Sequence, residues 1–487
     1  MVLAPLPRLA LIDQKITPAL VSFDSLSGIS RVDHLVGLTD RLLRVDHLVC
    51  LTDRLVVLRI SWGVGEEIGV GAELPFSLGV DGVEGCVNTK LVAAEPYRLF
   101  FPMALLAGVV GDMLWPLFYW QMLDFYPLQA HTRLMIQGFV GGCVIGFLGT
   151  AMPKMLTAPS LKLWQVMTLV VGYIGYCAAH SSGLQSLGDG VFAATFIFLL
   201  ACFGMRVMAR KSAVGPQMVL AVMGIVSGIL GAVWWALCMP SEHFQVTLFS
   251  QRLLYQAFIL LPILGVGSFF FPMVLGVKKE EIKGTQAWRR KAGESFVVGA
   301  LILLTYWVEV HAQQRVMAWT RFLICFIWLT KESGWLRRTG TKGVMVHSLR
   351  AGIVCLLGGM VAVAVIEQHR VALEHTLYIG GFGLITMIVA TRVIYGHSGQ
   401  GAKFQRWVKP LVACVALLLL AMATRVSADF MPAIRNTHHT YAAICWVVVS
   451  AIWALAVFPF IHRRPPVVKA KPAAPAKSVL DMDFRKK

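Results

Sequence analysis

Histidine is the residue type in this chain whose placement could do chemistry. Thirteen occur. His34 and His47 lie in an N-terminal stretch of different composition and His462 in a basic tail, while the other ten sit at the ends of apolar runs. Imidazole is the commonest side-chain ligand for transition metals and an axial ligand of haem iron. Two on neighbouring helices at equal depth could hold a haem between them, and three could hold copper. A lone histidine at a helix end is ordinarily a solvated interfacial group, so the argument rests on a cluster. Of the adjacent His438 and His439, at most one faces inward on a helix. A second set is ionisable and lies deep in apolar runs, where such groups mark functional candidates. Asp112, Arg321 and Arg392 read as an Asp–Arg pair, a proton path, or a contact to haem propionate. Glu374 beside His375 and Glu309 near His311 are placed to orient imidazoles. Cysteine points nowhere: there are ten and no CxxC pair, as for apolar filler rather than a disulfide framework or zinc site.

The elements that position these residues follow from composition. The chain is 57% hydrophobic and 14% charged, against roughly 45–50% and about 25% in soluble proteins. Such a chain suits a lipid-facing bundle. Twelve apolar runs are long enough for a helix of roughly 20 residues: 98–120, 133–156, 163–180, 190–209, 216–239, 250–276, 294–311, 314–331, 347–366, 374–397, 408–428 and 438–461. The fold class is therefore all-α, a polytopic transmembrane bundle of about twelve helices. Connections after even-numbered helices are rich in Lys and Arg, such as Lys278, Lys279, Arg289, Arg290 and Lys291. Those after odd-numbered helices carry Asp124, Asp189, Glu242, Glu309, Glu367, Glu374 and Asp429 instead. Basic short loops stay cytoplasmic, which places both ends of the bundle inside. The net charge of +18 then reflects topology and contact with anionic lipid headgroups of the bilayer. No nucleic-acid partner is implied. In this topology His131, His180, His243, His311, His369, His375, His438 and His439 fall at the outer face, and only His347 and His397 at the inner face. The metal-ligand candidates are His131, His375, His180 and His347.

Residues 1–90 stand apart. They hold 8 Lys and Arg against 11 Asp and Glu, whereas the rest holds 36 against 15. A 13-residue unit repeats in tandem, RVDHLVGLTDRLL from Arg31 and RVDHLVCLTDRLV from Arg44, too short and too few for a solenoid. GVGEEIGVG at 63–71 lacks the βαβ setting of a nucleotide site. This stretch reads as a small extension or, preferably, as upstream sequence, with the natural start near Val87. Residues 95–462 form the membrane domain and 463–487 a basic cytoplasmic tail. Gly138, Gly142 and Gly146 make a smooth stripe on the second helix, as do Gly224 and Gly228 on the fifth, where a neighbour can approach closely.

Three blocks resemble a known family. HTRLMIQGFVGGCVIGFLGTAMPKMLTAP at His131–Pro159 is similar to the second-helix signature of the NnrS proteins. LLPILGVGSFFFPMVLG at Leu260–Gly276 and EHTLYIGGFGLITMIVATRVIYGHSGQ at Glu374–Gln400 resemble two further family blocks, in the same order and spacing across roughly 95–461. The resemblance implies a twelve-helix, haem- and copper-containing protein of the bacterial inner membrane, linked to nitric oxide metabolism and nitrosative stress. His131 falls on the first His of the family's HxHEM motif, His375 on the His opening the tenth helix, and Arg392 and His397 on its R…GH positions. These four are the implied cofactor-binding residues, with nitric oxide as the small diatomic ligand. Arg133 and Leu134 stand where the motif has its second His and its Glu. A twelve-helix secondary transporter and an assembly factor for a respiratory complex are the alternatives, and matching discontinuous helices that would favour the former are not evident.

Overall fold

The computed structural model describes residues 89–238, 243–279, 282, 284–312 and 314–463. The expectations for the N-terminal stretch and the tail beyond Arg463 lie outside them. Among the described residues the chain is helical and contains no strand. A short helix, Thr89–Ala94, leads into twelve long helical segments. These are α1 Tyr97–Tyr119, α2 Leu128–Met155, α3 Leu163–Ser181, α4 Gln185–Met208, α5 Met218–Leu237, α6 Phe244–Leu275, α7 Thr285–His311, α8 Gln314–Ser333, α9 Val344–Val365, α10 Glu367–His397, α11 Lys409–Phe430 and α12 Pro432–Phe460. Ten are long and apolar enough to cross a membrane. The other two, α3 and α8, have the length but carry polar groups such as Gln165, His180, Arg321 and Glu332. The protein is a multi-pass membrane protein with an all-α bundle.

Successive helices pack on one another and α12 returns to pack on α1, so the bundle closes. Three helices sit deeper than the rest. In α2, α6 and α10 the buried share of the apolar window is 78%, 83% and 67%, against at most 56% in the other candidate spans. The same three each contain a π turn, at Leu134–Val140, Leu253–Ala257 and Thr376–Gly383. Such turns are rare and concentrate at functional sites. They fall four helices apart, and the first two share a pattern: Arg133-Leu-x-x-Gln-Gly-Phe and Arg252-Leu-x-x-Gln-Ala-Phe.

The glycine stripes do the packing their spacing suggests. A Cβ at Gly142 would lie 2.8 Å from Ala104 Cβ of α1, and one at Gly138 2.9 Å from Ala107 Cβ, so any larger residue would push α1 away from α2. On α5, Gly228 faces the Phe258 ring of α6, with the same consequence.

Several helices begin earlier than their apolar runs. α2 starts at Leu128 rather than 133, α4 at Gln185 rather than 190, α6 at Phe244 rather than 250, and α7 at Thr285 rather than 294. In two of these extra turns a charge finds a partner inside the protein: Asp189 of α4 pairs with Arg133, and Lys291 of α7 with Glu332. Asp189, expected in a connection, is instead fully buried in α4. Glu309 and Glu374 are likewise buried helix residues.

Candidate functional site

One cavity of about 390 Å³ opens among the helix ends on the Lys/Arg-poor side of the bundle. That volume lies within the range of about 300–1,000 Å³ seen for cofactor pockets. All three π-turn helices contribute to it, together with α1, α5, α11 and α12. Its apolar wall includes Ile136, Phe139, Ile259, Phe382 and Trp446, with Phe139 and Trp446 meeting edge to face at 5.1 Å.

Three histidines reach this cavity: His131 of α2, His375 of α10 and His439 of α12. His131 Nδ1 donates to the Gly111 carbonyl at 2.9 Å, and His375 Nδ1 to the Val371 carbonyl at 2.7 Å. A carbonyl can only accept, so the proton sits on Nδ1 and Nε2 keeps its lone pair. This is the tautomer that ligates through Nε2. His439 pairs Nδ1 with the Tyr119 hydroxyl at 2.6 Å, and its Nε2 is buried without a hydrogen-bond partner. Trp115 of α1 lies between the first and third imidazoles, with ring centroids 5.9 Å from His131 and 5.7 Å from His439. Asp112 stands 3.8 Å from His131 Nδ1 and also lines the cavity.

The other candidates lie elsewhere. His397 is at the opposite end of α10, where Nδ1 donates to Glu95 at 2.7 Å. Arg392 lies over the Phe404 ring at 5.6 Å. His347 stacks on Trp407 at 5.4 Å. His180 is fully buried and both its nitrogens are taken, by Gln185 Oε1 at 2.9 Å and Gln137 Oε1 at 2.8 Å. Among the four expected cofactor residues, the cavity brings together His131 and His375 and not Arg392 or His397.

Two corrections concern the carboxylates. Glu374 does not orient His375: it accepts from Arg252 and Arg370, each at 2.9 Å. Glu309 does not orient His311, whose Nδ1 donates to the Trp307 carbonyl; it is enclosed by Arg321, Arg370 and Arg252. Backbone carbonyls one turn back do the orienting instead. Arg321 pairs with Glu309 rather than with Asp112.

Arg133 is nearly inaccessible and gives Nε and Nη2 to Asp189 at 2.8 and 2.7 Å. Gln137 donates to the same carboxylate at 2.5 Å. The residue in the motif's second His position is thus half of a buried ion pair. Arg252, Arg425 and Trp446 are cavity residues that sequence reading did not single out, and His439 is the member of the His438–His439 pair that lines the cavity. The Arg-Leu-x-x-Gln-x-Phe pattern shared by α2 and α6 is the signal that would have found Arg252.

Among the described residues no three His, Cys, Asp or Glu side chains converge closely enough to hold a metal ion between them. A family model described as NnrS protein matches residues 91–464. No curated protein matches the chain.

Proposed function

The chain belongs to the NnrS family, and from that premise we propose that it is a haem-binding membrane protein acting on nitric oxide, with His131 and His375 as the residues that face the iron. The observation that carries this reading is that both imidazoles line one pocket of suitable volume, each with Nδ1 fixed by a carbonyl and Nε2 free. Bound there, a haem supplies an iron that takes a diatomic ligand. The chain's own residues bind and enclose it. Phe139, Phe382 and Trp446 offer flat apolar surface, and the π turns of α2 and α10 set the register at which the histidines enter.

The proposal is restricted to haem. Arg133 has no lone pair to offer a metal while bonded to Asp189, so the motif's copper-type donor set is incomplete here. The orientation forms part of the reading. Basic connections on the inner side put the cavity at the periplasmic face of a bacterial inner membrane, with both ends of the bundle cytoplasmic. Ser182 between α3 and α4 and Gln286 at the start of α7 are both exposed and lie at opposite ends of the bundle. A membrane-impermeant thiol reagent added from the periplasm should label Ser182→Cys and spare Gln286→Cys; the reverse pattern inverts the assignment.

The test of function is the optical spectrum of purified protein. A Soret band is expected, and His131→Ala and His375→Ala should each lose most of the cofactor per inserted protein while His397→Ala retains it. Protein that inserts normally but never shows a Soret band would overturn the reading.

A further inference from the structure

We propose that Arg252 of α6 and Arg425 of α11 anchor the carboxylate arms of the tetrapyrrole bound in the cavity. The inference rests on the haem reading above and names the part of the pocket that recognises the acidic edge of the ring.

Both side chains line the cavity. Arg252 gives Nη1 to Glu374 at 2.9 Å, but its Nε is buried and makes no hydrogen bond, with Glu309 3.5 Å away. Arg425 Nη1 is also buried without a hydrogen-bond partner, and Asp429 is 3.8 Å distant. A buried guanidinium N–H left unbonded is costly, and native proteins seldom tolerate one unless something else accepts from it. Other buried arginines are satisfied, including Arg133, which also lines the cavity. Arg133 is bonded to Asp189, and Arg206 to two carbonyls and Gln165. The two spare donors belong to side chains that reach the cavity. Trp446 Nε1, also buried, unbonded and on the cavity wall, adds a neutral third.

Charge points the same way. Among the described residues, Arg252, Arg321 and Arg370 pair with Glu309 and Glu374 alone, so three guanidinium groups meet two carboxylates. That leaves a positive surplus beside the pocket. Asp112 is the other carboxylate on the wall, and it faces His131. A guanidinium fork bonds a carboxylate through two parallel N–H groups, which gives direction as well as charge. Two such forks on separate helices suit a ligand with two acidic arms on one edge. The Asp112–Arg321 and Arg392 positions suggested by sequence alone do not serve: Arg321 is committed to Glu309 and Arg392 lies beside Phe404.

The experiment titrates the full-length, cofactor-free protein with iron(III) protoporphyrin IX and with its dimethyl ester, followed by the Soret band. The free acid should bind about tenfold to a hundredfold more tightly than the ester. Arg425→Gln should shrink that ratio toward one, chiefly by weakening the acid, and Arg425→Lys should restore part of it. Arg252→Gln should act likewise; Arg425→Gln carries the test should the α6 variant fail to insert. Equal binding of acid and ester by the unaltered protein overturns the proposal while leaving haem binding intact. Undiminished discrimination in Arg425→Gln and in any Arg252→Gln protein that inserts does the same. Binding of neither porphyrin overturns the haem reading and this inference with it.

Discussion

Two polar clusters lie near the same end of the bundle and differ in one respect. The cluster among α2, α3 and α4 is closed. Arg133, Gln137, His180 and Gln185 bond to Asp189, to one another or to backbone, and the carboxylate is enclosed by three N–H donors from two side chains. The cluster around the cavity is open. Arg252 Nε, Arg425 Nη1, His439 Nε2 and Trp446 Nε1 are buried there without a hydrogen-bond partner. Buried polar groups are nearly always satisfied in native proteins. A network with every bond made needs nothing further and serves the fold. One with donors left over, around a volume of about 390 Å³, is shaped for something that brings acceptors. Histidine number alone could not separate these cases, because His180 belongs to the first cluster and His131 to the second.

The strongest way to break this comparison is to attack the closed cluster. Asp189→Asn removes the carboxylate that pairs with Arg133 and leaves a buried guanidinium uncompensated. Breaking such a pair from one side costs about 3–5 kcal/mol. The expected outcome is a large fall in thermal midpoint and in membrane-inserted protein, with cofactor per surviving protein unchanged. Selective loss of cofactor from a stably folded Asp189→Asn would mean that the two clusters act as one site.

A smaller effect on the fold, and a larger one on the ligand, is expected from filling the cavity. Ala442 of α12 lines it and is buried. Ala442→Phe places a ring where there is open volume, so it avoids most of the 1–3 kcal/mol that overpacking costs in a filled core. Inserted protein should remain near the unaltered level while haem content falls. Normal haem content in that variant would locate the ligand elsewhere.

Much of the fold was legible in the sequence because lipid imposes simple rules. Apolar runs gave twelve segments, and the two-residue gap between 311 and 314 coincides with a helix break, α7 ending at His311 and α8 starting at Gln314. Segment starts were less legible. A charge such as Asp189 looks like a loop residue until its partner is known, and that partner, Arg133, is remote in sequence. The cavity was half legible. His131 and His375 stood out by residue type and by the motifs they open. His439 was one of an adjacent pair with no sign of which member faced inward, and Arg425 did not stand out, since nothing in a linear sequence brings α11 and α12 to the cavity that α1 lines. The threefold recurrence of π turns was visible only as the Arg-Leu-x-x-Gln-x-Phe match between Arg133 and Arg252, weakened in α10 to His-Thr…Gly-Phe.

The smallest effect is expected at the opposite end, where His397 sits in a satisfied cluster of its own. Glu95, just ahead of α1, accepts from His397 at 2.7 Å, Lys154 at 3.1 Å and Arg98 Nε at 2.8 Å. Arg98 in turn reaches the carbonyls of Ile461 and Arg463, tying the start of the bundle to its end. Burial alone would raise the pKa of Glu95, but the hydrogen bond and charge of His397, with help from Arg98 and Lys154, bring it from its ordinary 4.5 down to about 2. A carboxyl depressed in the folded state contributes stability above its ordinary value and loses that contribution as pH falls toward the folded one. The thermal midpoint should therefore drop between about pH 4.5 and 2, and Glu95→Gln should drop less over the same interval because it has no proton to gain. At neutral pH, His397→Ala should soften the cluster slightly and leave haem content untouched. Equal acid sensitivity of Glu95→Gln and the unaltered protein would remove Glu95 from the account. An empty cavity in His397→Ala would tie the two ends together through α10 and undo the distinction between an open site and a closed one.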